Sequence, residues 1–193
     1  DEISRLNSLE TGKPYGEAYG DTGFCLNVLR FHAEEAKRVY GTTLNDYNSQ
    51  RGSVYHMVEK RPVGVVVGHL AWNYPMYNAA LKIGPVIGSG CTAVLKPSSQ
   101  TPLATLFLGK LITEAGIPDG VINILAGSSS ELGYALNSST IPRLIGLIGS
   151  TDTALKVMSD SATSVKRFSF ELGGNAPTIV SESADLAAAA DTA

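Results

Sequence analysis

Residues 63–70 read VGVVVGHL, a short and almost continuously apolar run that is rich in β-branched side chains. Such a run is typical of a strand that helices cover on both faces, because neither face then meets water. A helix-forming stretch follows at Met76–Ile87, and the order of strand and helix repeats down the chain. Further strands are predicted at Cys91–Leu95, Val121–Leu125, Arg143–Ile148, Phe168–Leu172 and Thr178–Val180, and further helices at Pro102–Ala115, Ser130–Asn137, Thr151–Ser159 and from Asp185 onward.

This alternation predicts an α/β fold with a doubly wound parallel sheet, because right-handed crossovers place helices on both faces of the sheet. The first 50 residues have a helical pattern with an apolar face that includes Phe24, Val28, Phe31 and Val39. The partly alternating stretch that follows predicts an exposed β-ribbon. We therefore divide the chain into a helical part at 1–52, a ribbon at 53–62 and a Rossmann-like core at 63–193.

Composition excludes several classes of protein. The 193 residues are 44% hydrophobic and 17% charged, with a formal net charge of −3, so no basic surface is available for nucleic acid or an anionic membrane. No apolar run reaches the roughly 20 residues that span a bilayer. The two cysteines, Cys25 and Cys91, are too few and too far apart for a disulfide framework or a metal cluster. We expect a cytoplasmic protein with no metal.

Polar or glycine-containing turns follow five of the predicted strands. In a doubly wound sheet, ligands bind beyond the carboxyl ends of the strands, so these turns should converge on one edge and form a binding cleft. The turns are Ala71–Pro75, Lys96–Ser99, Gly127–Ser128, Gly149–Thr151 and Glu171–Gly174.

Two of these turns suit a phosphate or a ribose. Gly149–Thr151 opens a helix, whose amides and hydroxyls can bind a phosphate, although a plain helix cap is the commoner explanation for this tripeptide alone. Lys96 ends a strand, where its ammonium can bind a ribose hydroxyl or a phosphate, or lie in solvent. The G-x-G-x-x-G fingerprint of simple dinucleotide-binding domains is absent from the sequence.

Two other side chains suit the chemistry of a carbonyl group. Asn73 lies in a turn beside Pro75, where a rigid neutral amide can stabilise an oxyanion or simply the turn. Glu171 lies between Phe170 and Leu172, where partial desolvation favours a general base over a solvated carboxylate. A paired structural glutamate is the alternative.

Taken in order, the motifs resemble the aldehyde dehydrogenase superfamily, and most closely its succinate-semialdehyde dehydrogenase-like branch. Glu-Leu-Gly-Gly after Trp-Asn-x-Pro and Lys-Pro-Ser is a specific combination, and the resemblance covers nearly the whole chain. The motifs lie at Leu9–Pro14, Trp72–Pro75, Leu95–Ser98, Gly116–Asn123, Gly149–Thr151 and Phe170–Pro177.

The resemblance implies an enzyme that oxidises a small-molecule aldehyde with NAD or NADP through a cysteine thioester. It assigns Asn73 to the oxyanion, Glu171 to activation of the hydrolytic water, and Lys82 to the proton path. The ribbon resembles an oligomerisation arm, which implies a homodimer or homotetramer of the full-length enzyme. The residues assigned to the cofactor are Trp72, Lys96, Ser98, Ser99, Gly127, Gly149, Ser150, Leu172 and Gly173.

The largest departure from the family is the missing nucleophile. The family's cysteine follows Glu-Leu-Gly-Gly at a greater distance than the chain provides after Glu171, and we expect Cys25 and Cys91 to be packing residues. We therefore expect an incomplete domain, without the catalytic domain and inactive by itself.

Three further departures concern specificity. Ser99 replaces a glutamate that many NAD-preferring members carry, so acceptance of NADP is expected because no carboxylate repels the 2′-phosphate. Leu81 replaces an arginine that binds the substrate carboxylate in succinate-semialdehyde members, which argues against a dicarboxylic semialdehyde. His69-Leu70-Ala71 replaces the usual proline before Trp72, and Ile148 replaces a threonine before Gly-Ser; these changes bear either on the fit of the cofactor or on the tuning of the site.

Two other functions fit the same motifs. A coenzyme A-acylating relative would pass the thioester to a thiol, but such relatives tend to lack the base that Glu171 provides. A non-catalytic structural or binding protein on the same fold would need no nucleophile at all.

Overall fold

The computed structural model describes residues 1–45, 55–128 and 130–192. Two helices and a ribbon precede a region in which strands and helices alternate. The strands are β1 (Thr42–Asn45), β2 (Tyr55–Val58), β3 (Val65–His69), β4 (Thr92–Lys96), β5 (Ile122–Ile124), β6 (Leu144–Ile148) and β7 (Arg167–Glu171). The α-helices are α1 (Glu2–Thr11), α2 (Tyr15–Glu35), α3 (Pro75–Gly88), α4 (Leu103–Glu114), α5 (Glu131–Ser138), α6 (Thr151–Asp160) and α7 (Leu186–Thr192), and a short 3-10 helix (Ala36–Arg38) follows α2.

Strands β3 to β7 form a parallel sheet in the order β5-β4-β3-β6-β7. The chain starts in the middle with β3, moves outward to β5, and returns to β6 on the other side of β3. The predicted doubly wound α/β fold is therefore confirmed. The winding direction reverses between β3 and β6, so a crevice opens beyond the carboxyl ends of these two strands, where folds of this kind bind ligands.

Each face of the sheet has its own apolar core. On one face, α1 to α4 pack over buried side chains such as Val66 and Leu95. On the other face, α6 packs over Val67, Ile145 and Leu147. The neighbours Val66 and Val67 thus enter different cores, which explains the continuous apolar run from which the strand was predicted. Among the helices of the described residues, none is long and apolar enough to cross a membrane.

A ribbon forms earlier in the chain than the sequence predicted. β1 pairs with β2 in antiparallel register, with Thr42 opposite Val58 and Asn45 opposite Tyr55. The first strand of the ribbon therefore lies within residues 1–52, which were predicted to be helical. A ribbon needs two strands, and β2 finds its partner in the segment that precedes it. Ser53 and Val54 of the predicted ribbon lie outside the described residues.

The buried face of α2 is not the one that the sequence predicted. Phe24 is 64% exposed and Phe31 is 60% exposed, whereas Ala18 and Cys25 are buried. The reason is close packing of α2 on α3 through small residues: a methyl group at Gly84 of α3 would lie 2.7 Å from Cδ2 of His32 on α2. Small side chains at this contact leave the larger apolar ones outside.

The predicted strand at Thr178–Val180 is wrong in this structure. These residues have no regular secondary structure, and Ile179 is 88% exposed. A strand requires a hydrogen-bonded neighbour, and the six residues between the end of β7 and Thr178 are too few for the crossover that parallel pairing with β7 would need.

A carboxylate from α1 caps the first turn of α4. Glu10 accepts hydrogen bonds from the backbone amides of Leu103 at 2.6 Å and Ala104 at 3.0 Å. Pro102, at the N-cap position, has no side chain that can accept such bonds. The carboxylate therefore satisfies two amides, complements the helix dipole and ties α1 to the sheet domain.

Replacing Glu10 by Ala should lower the free energy of unfolding by about 1–2 kcal/mol, because two helix amides lose their acceptor. Urea denaturation measures this change. Glu114→Gln is the matched control, since Glu114 is exposed at the other end of α4 and makes a salt bridge of 3.7 Å with Lys110. Equal stability of Glu10→Ala and Glu114→Gln would contradict the capping role.

Candidate functional site

A cavity of about 1020 Å³ lies at the carboxyl ends of β3, β4, β6 and β7, beside α5 and α6. It occupies the crevice expected from the sheet order. Both residues assigned to carbonyl chemistry, Asn73 and Glu171, line it, although 98 positions separate them in the chain. The other sequence-predicted residues in its lining are Trp72, Lys96, Ser98, Gly149, Ser150, Leu172 and Gly173.

Three predicted site residues are not in the lining of this cavity. Ser99 is exposed in the turn after β4, and Gly127 is exposed in the loop before α5, where it packs near Leu132. Lys82 is buried on α3, on the opposite face of the sheet from α6. Ser99 and Gly127 lie in loops at the edge of the site, whereas Lys82 lies on the α3 side of the sheet.

The turn that carries Asn73 is held by hydrogen bonds from two other elements. The Thr101 hydroxyl donates to the carbonyl of Trp72 at 3.1 Å. The buried Asn78 amide on α3 donates to the carbonyl of Ala71 at 3.2 Å and to Oδ1 of Asn73 at 3.4 Å. The Asn73 carbonyl oxygen is thus engaged within the turn. Among the described residues, none accepts a hydrogen bond from Asn73 Nδ2, so this group can donate to a ligand.

The N-terminal helices brace the same turn. Lys13 Nζ lies 3.4 Å from the ring centroid of Tyr74, which follows Asn73, and forms a salt bridge of 2.8 Å with Asp21 on α2. Asp21 also accepts a hydrogen bond from the buried Asn7 amide on α1. A cation on a ring face and a mostly buried ion pair together restrict the movement of the turn.

The side chain of Lys82 lies along two glycines on the α3 face of the sheet. Gly68 of β3 and Gly146 of β6 are register partners. A methyl group at Gly146 would lie 3.3 Å from Cε of Lys82, and one at Gly68 would lie 3.5 Å from its Cγ. Burial lowers the pKa of Lys82, and the carboxylate of Glu171 partly opposes that shift. The ammonium therefore lies within electrostatic reach of the candidate base.

His69 and Lys96 end neighbouring strands at the floor of the cavity. They are register partners on β3 and β4, and both line the cavity. His69 Nε2 lies 2.8 Å from Oδ1 of Asn137 on α5. Burial lowers the pKa of His69, the hydrogen bond to Asn137 partly opposes this shift, and the charge of Lys96 adds a smaller lowering. Burial also lowers the pKa of Lys96.

Ser150 is the N-cap of α6. Its hydroxyl oxygen accepts from the amide of Thr153 at 3.2 Å, so the plain helix-cap explanation describes its contacts in this structure. The start of the same helix lies in the cavity wall, where Ser150, Asp152 and Thr153 are lining residues.

Sequence reasoning missed the contribution of the two helices above the crevice. It assigned no residue of α5 or α6 after Thr151, and it gave His69 no role beyond an effect on cofactor fit. A spacing of three to four residues was a usable signal, because side chains at this spacing lie on the same face of a helix and can line the same side of the cavity. The lining residues missed are Ser130, Gly133 and Asn137 on the α5 side, and Asp152, Thr153, Lys156, Val157 and Asp160 on α6.

The two cysteines are structural. Both are buried, and burial raises the pKa of the Cys25 thiol to about 11. A protonated, buried thiol is a poor nucleophile, as the sequence analysis expected for a packing residue. Among the described residues, no group of three or more His, Cys, Asp or Glu side chains is arranged to hold a metal ion.

Known proteins are similar to this chain in sequence. The chain is 42% identical over 193 residues to a glutarate-semialdehyde dehydrogenase of Pseudomonas aeruginosa. This match covers all of the chain and 39% of the relative. It is 40% identical over 186 residues to an NADP(+) succinate-semialdehyde dehydrogenase of Escherichia coli, covering 96% of the chain and 38% of the relative. The chain thus spans well under half the length of these relatives.

A solved structure agrees with the fold. A betaine aldehyde dehydrogenase variant of Staphylococcus aureus in complex with NAD+ superposes with a TM-score of 0.91 at 35% identity, over 98% of this chain and 38% of that one. The sequence also matches the aldehyde dehydrogenase family over residues 1–193. The order of motifs, the sheet and the lined crevice all agree with this match, and the chain therefore belongs to the aldehyde dehydrogenase family.

Proposed function

We propose that this chain is the cofactor-binding part of an enzyme that oxidises an aldehyde to a carboxylic acid with NAD or NADP. One observation carries the proposal: Asn73 and Glu171, distant in sequence, line one cavity together with Lys96 and Ser150. The amide, the carboxylate and the phosphate-binding groups that the reaction needs are thus present in a single crevice.

The crevice fits a dinucleotide in size and in chemistry. Its volume of about 1020 Å³ is at the upper end of typical cofactor pockets. Lys96 and the start of α6 supply donors for the ribose and the pyrophosphate, and Gly149 leaves room for close approach of the backbone. When bound, the nicotinamide supplies the hydride acceptor. The relatives named for NADP(+) and solved with NAD+ support both forms of the cofactor.

Asn73 is proposed to stabilise the oxyanion that develops on the aldehyde. Its carbonyl oxygen is held by the amides of Tyr74 and Asn78, which orients Nδ2 as a fixed donor. A donor that is already oriented before reaction stabilises developing charge without reorganising.

Glu171 is proposed to accept a proton from the water that hydrolyses the thioester. It ends β7 at the cavity, where it is exposed and not partly desolvated as the sequence predicted. The side chain of Lys82 lies along Gly146 of the neighbouring strand and is within electrostatic reach of Glu171. Burial lowers the pKa of Lys82, and in its neutral form the amine can accept the proton that Glu171 takes from the water, which supports the assignment of Lys82 to the proton path.

The nucleophile must be supplied from outside this chain. The acyl transfer needs a thiolate, and Cys25 and Cys91 are both buried. The relatives extend far beyond the matched region, which leaves ample length for a catalytic domain.

The aldehyde itself is proposed to be neutral. Two relatives are named for semialdehydes that carry a carboxylate, but Leu81 stands where that branch tends to have an arginine. A substrate carboxylate would lack this partner on α3. A substrate series should therefore pair each semialdehyde with a neutral aldehyde of equal length.

The ribbon is proposed to contact a second copy in a homodimer or homotetramer. Its strands expose Leu44, Met57 and Val58, and exposed apolar side chains on an edge of this kind favour association.

In the natural full-length protein, Asn73→Ala should lower kcat about 10²- to 10³-fold, because the developing oxyanion loses a donor. Glu171→Gln should lower the hydrolytic rate about a hundredfold or more. The formation of NADPH or NADH during aldehyde oxidation measures both effects, and Glu114→Gln, at an exposed position at the end of α4, is the control. Unchanged rates in both variants would refute the assignment, and a gain of activity with coenzyme A would favour the acylating alternative.

Lys82→Met should raise the free energy of unfolding at neutral pH by about 1 kcal/mol while it lowers activity. The folded-state pKa of Lys82 is lowered, so the unfolded chain binds more protons between that pKa and the ordinary value of a lysine. Stability of the parent protein should therefore increase with pH across this window, and the variant should lose that increase. Urea denaturation at several pH values checks this. A variant less stable than the parent at neutral pH would show that Lys82 is a packing residue.

A further inference from the structure

A histidine and a lysine stand side by side at the floor of the crevice. His69 and Lys96 are partners in the register of two parallel strands, and neighbouring strands lie about 4.8 Å apart. Val67 of β3 enters the core under α6, so His69, two residues later, points to the same face of the sheet. Both side chains line the cavity.

The imidazole has a fixed orientation. Asn137, which is only 3% exposed on α5, bonds to Nε2 of His69 across 2.8 Å. With Nε2 bonded to the Asn137 carbonyl oxygen, protonation of the ring adds an N–H donor at Nδ1. The buried Asn137 amide thus fixes the orientation of the imidazole before a ligand enters the crevice.

The charge of Lys96 acts directly on the imidazole of His69. Burial and, to a smaller extent, the charge of Lys96 lower the pKa of His69, and the hydrogen bond to Asn137 opposes them only in part, so the ring is neutral in the free protein near neutral pH. The other charged side chains in the lining are Asp152, Lys156 and Asp160 from α6 and Glu171 from β7. Lys156 bonds Asp160 at 3.2 Å, which partly neutralises both. A phosphate bound beside Lys96 would stabilise the charged imidazole and so raise the pKa of His69.

We propose that His69 is a specificity-determining residue that binds, together with Lys96, the 2′-phosphate of NADP. The inference rests on the proposed function, because it assumes that the adenosine end of the cofactor lies beside Lys96. The ribose hydroxyl of NAD carries no charge at this position, so it cannot compensate for two adjacent cations as a phosphate does.

The proposal predicts coupling between cofactor choice and pH. Binding of NADP should take up a proton at His69, whereas binding of NAD should not. Selectivity for NADP should therefore increase as the pH falls from about 8 to about 6.5, the range in which a histidine titrates. The 2′-phosphate itself titrates near the lower end of this range and acts in the opposite direction, so a variant without the imidazole is needed as reference.

Isothermal titration calorimetry of NADP+ and NAD+ on the natural full-length protein tests the proposal. The parent is compared with His69→Gln, which keeps a hydrogen-bonding group for Asn137 but cannot become charged. His56→Gln is the matched control, because His56 is exposed on β2, away from the cavity lining. Titrations in two buffers of different ionisation enthalpy give the number of protons taken up.

In the parent and in His56→Gln, NADP+ binding should take up a fraction of a proton near neutral pH. The ratio of the NAD+ to the NADP+ dissociation constant should fall about tenfold in His69→Gln, with NAD+ affinity changed less than twofold. Equal ratios and equal proton uptake in the parent and His69→Gln would overturn the role of His69 and leave the proposed function standing. If the folded parent binds neither cofactor, the proposed function and this inference fall together.

Discussion

The pairing of β3 with β6 is the constraint on which the rest of the site depends. These strands are distant in sequence, and their in-register contact places Gly68 beside Gly146. It also sets the point where the winding of the sheet reverses, so that a crevice opens at their carboxyl ends. Every group assigned to the cofactor or to the aldehyde lies in this crevice, at its rim or directly beneath it. A different neighbour for β3 would separate Asn73 from Glu171.

The two glycines make room for a lysine on one face of the sheet. This face has the apolar core under the N-terminal helices, and the other carries the cavity between α5 and α6. The side chain of Lys82 extends along Gly68 and Gly146 toward Glu171. A buried ammonium opposes folding, and a methionine would fill the same space without that cost. The proposed place of Lys82 in the proton path would account for this cost, and the two glycines beside it make the arrangement sterically possible.

The N-terminal helices stabilise the site without entering its main cavity. Glu10 caps α4, and Lys13, three residues later, lies over the ring of Tyr74 beside Asn73. The motif at Leu9–Pro14 therefore acts through two contacts that are remote in sequence. Both contacts help to position the turn before α3. Lys13 contacts Tyr74 in this turn directly. Glu10 caps α4, and Thr101, just before α4, donates a hydrogen bond to the carbonyl of Trp72 in the same turn. The resemblance to the family located this motif, but the tertiary contacts supply the physical reason for its residues.

The sequence alone determined the parallel sheet and the edge at which the site lies, because continuous apolar runs and the turns after them depend only on local order along the chain. Tertiary structure decided the rest. The buried face of α2 followed from its contact with Gly84, and the unpaired Thr178–Val180 shows that β-propensity without a neighbouring strand is insufficient. The pairing of His69 with Asn137, 68 positions apart, has no local signal. Contacts between distant elements depend on how helices pack, and periodicity within one element does not encode that packing.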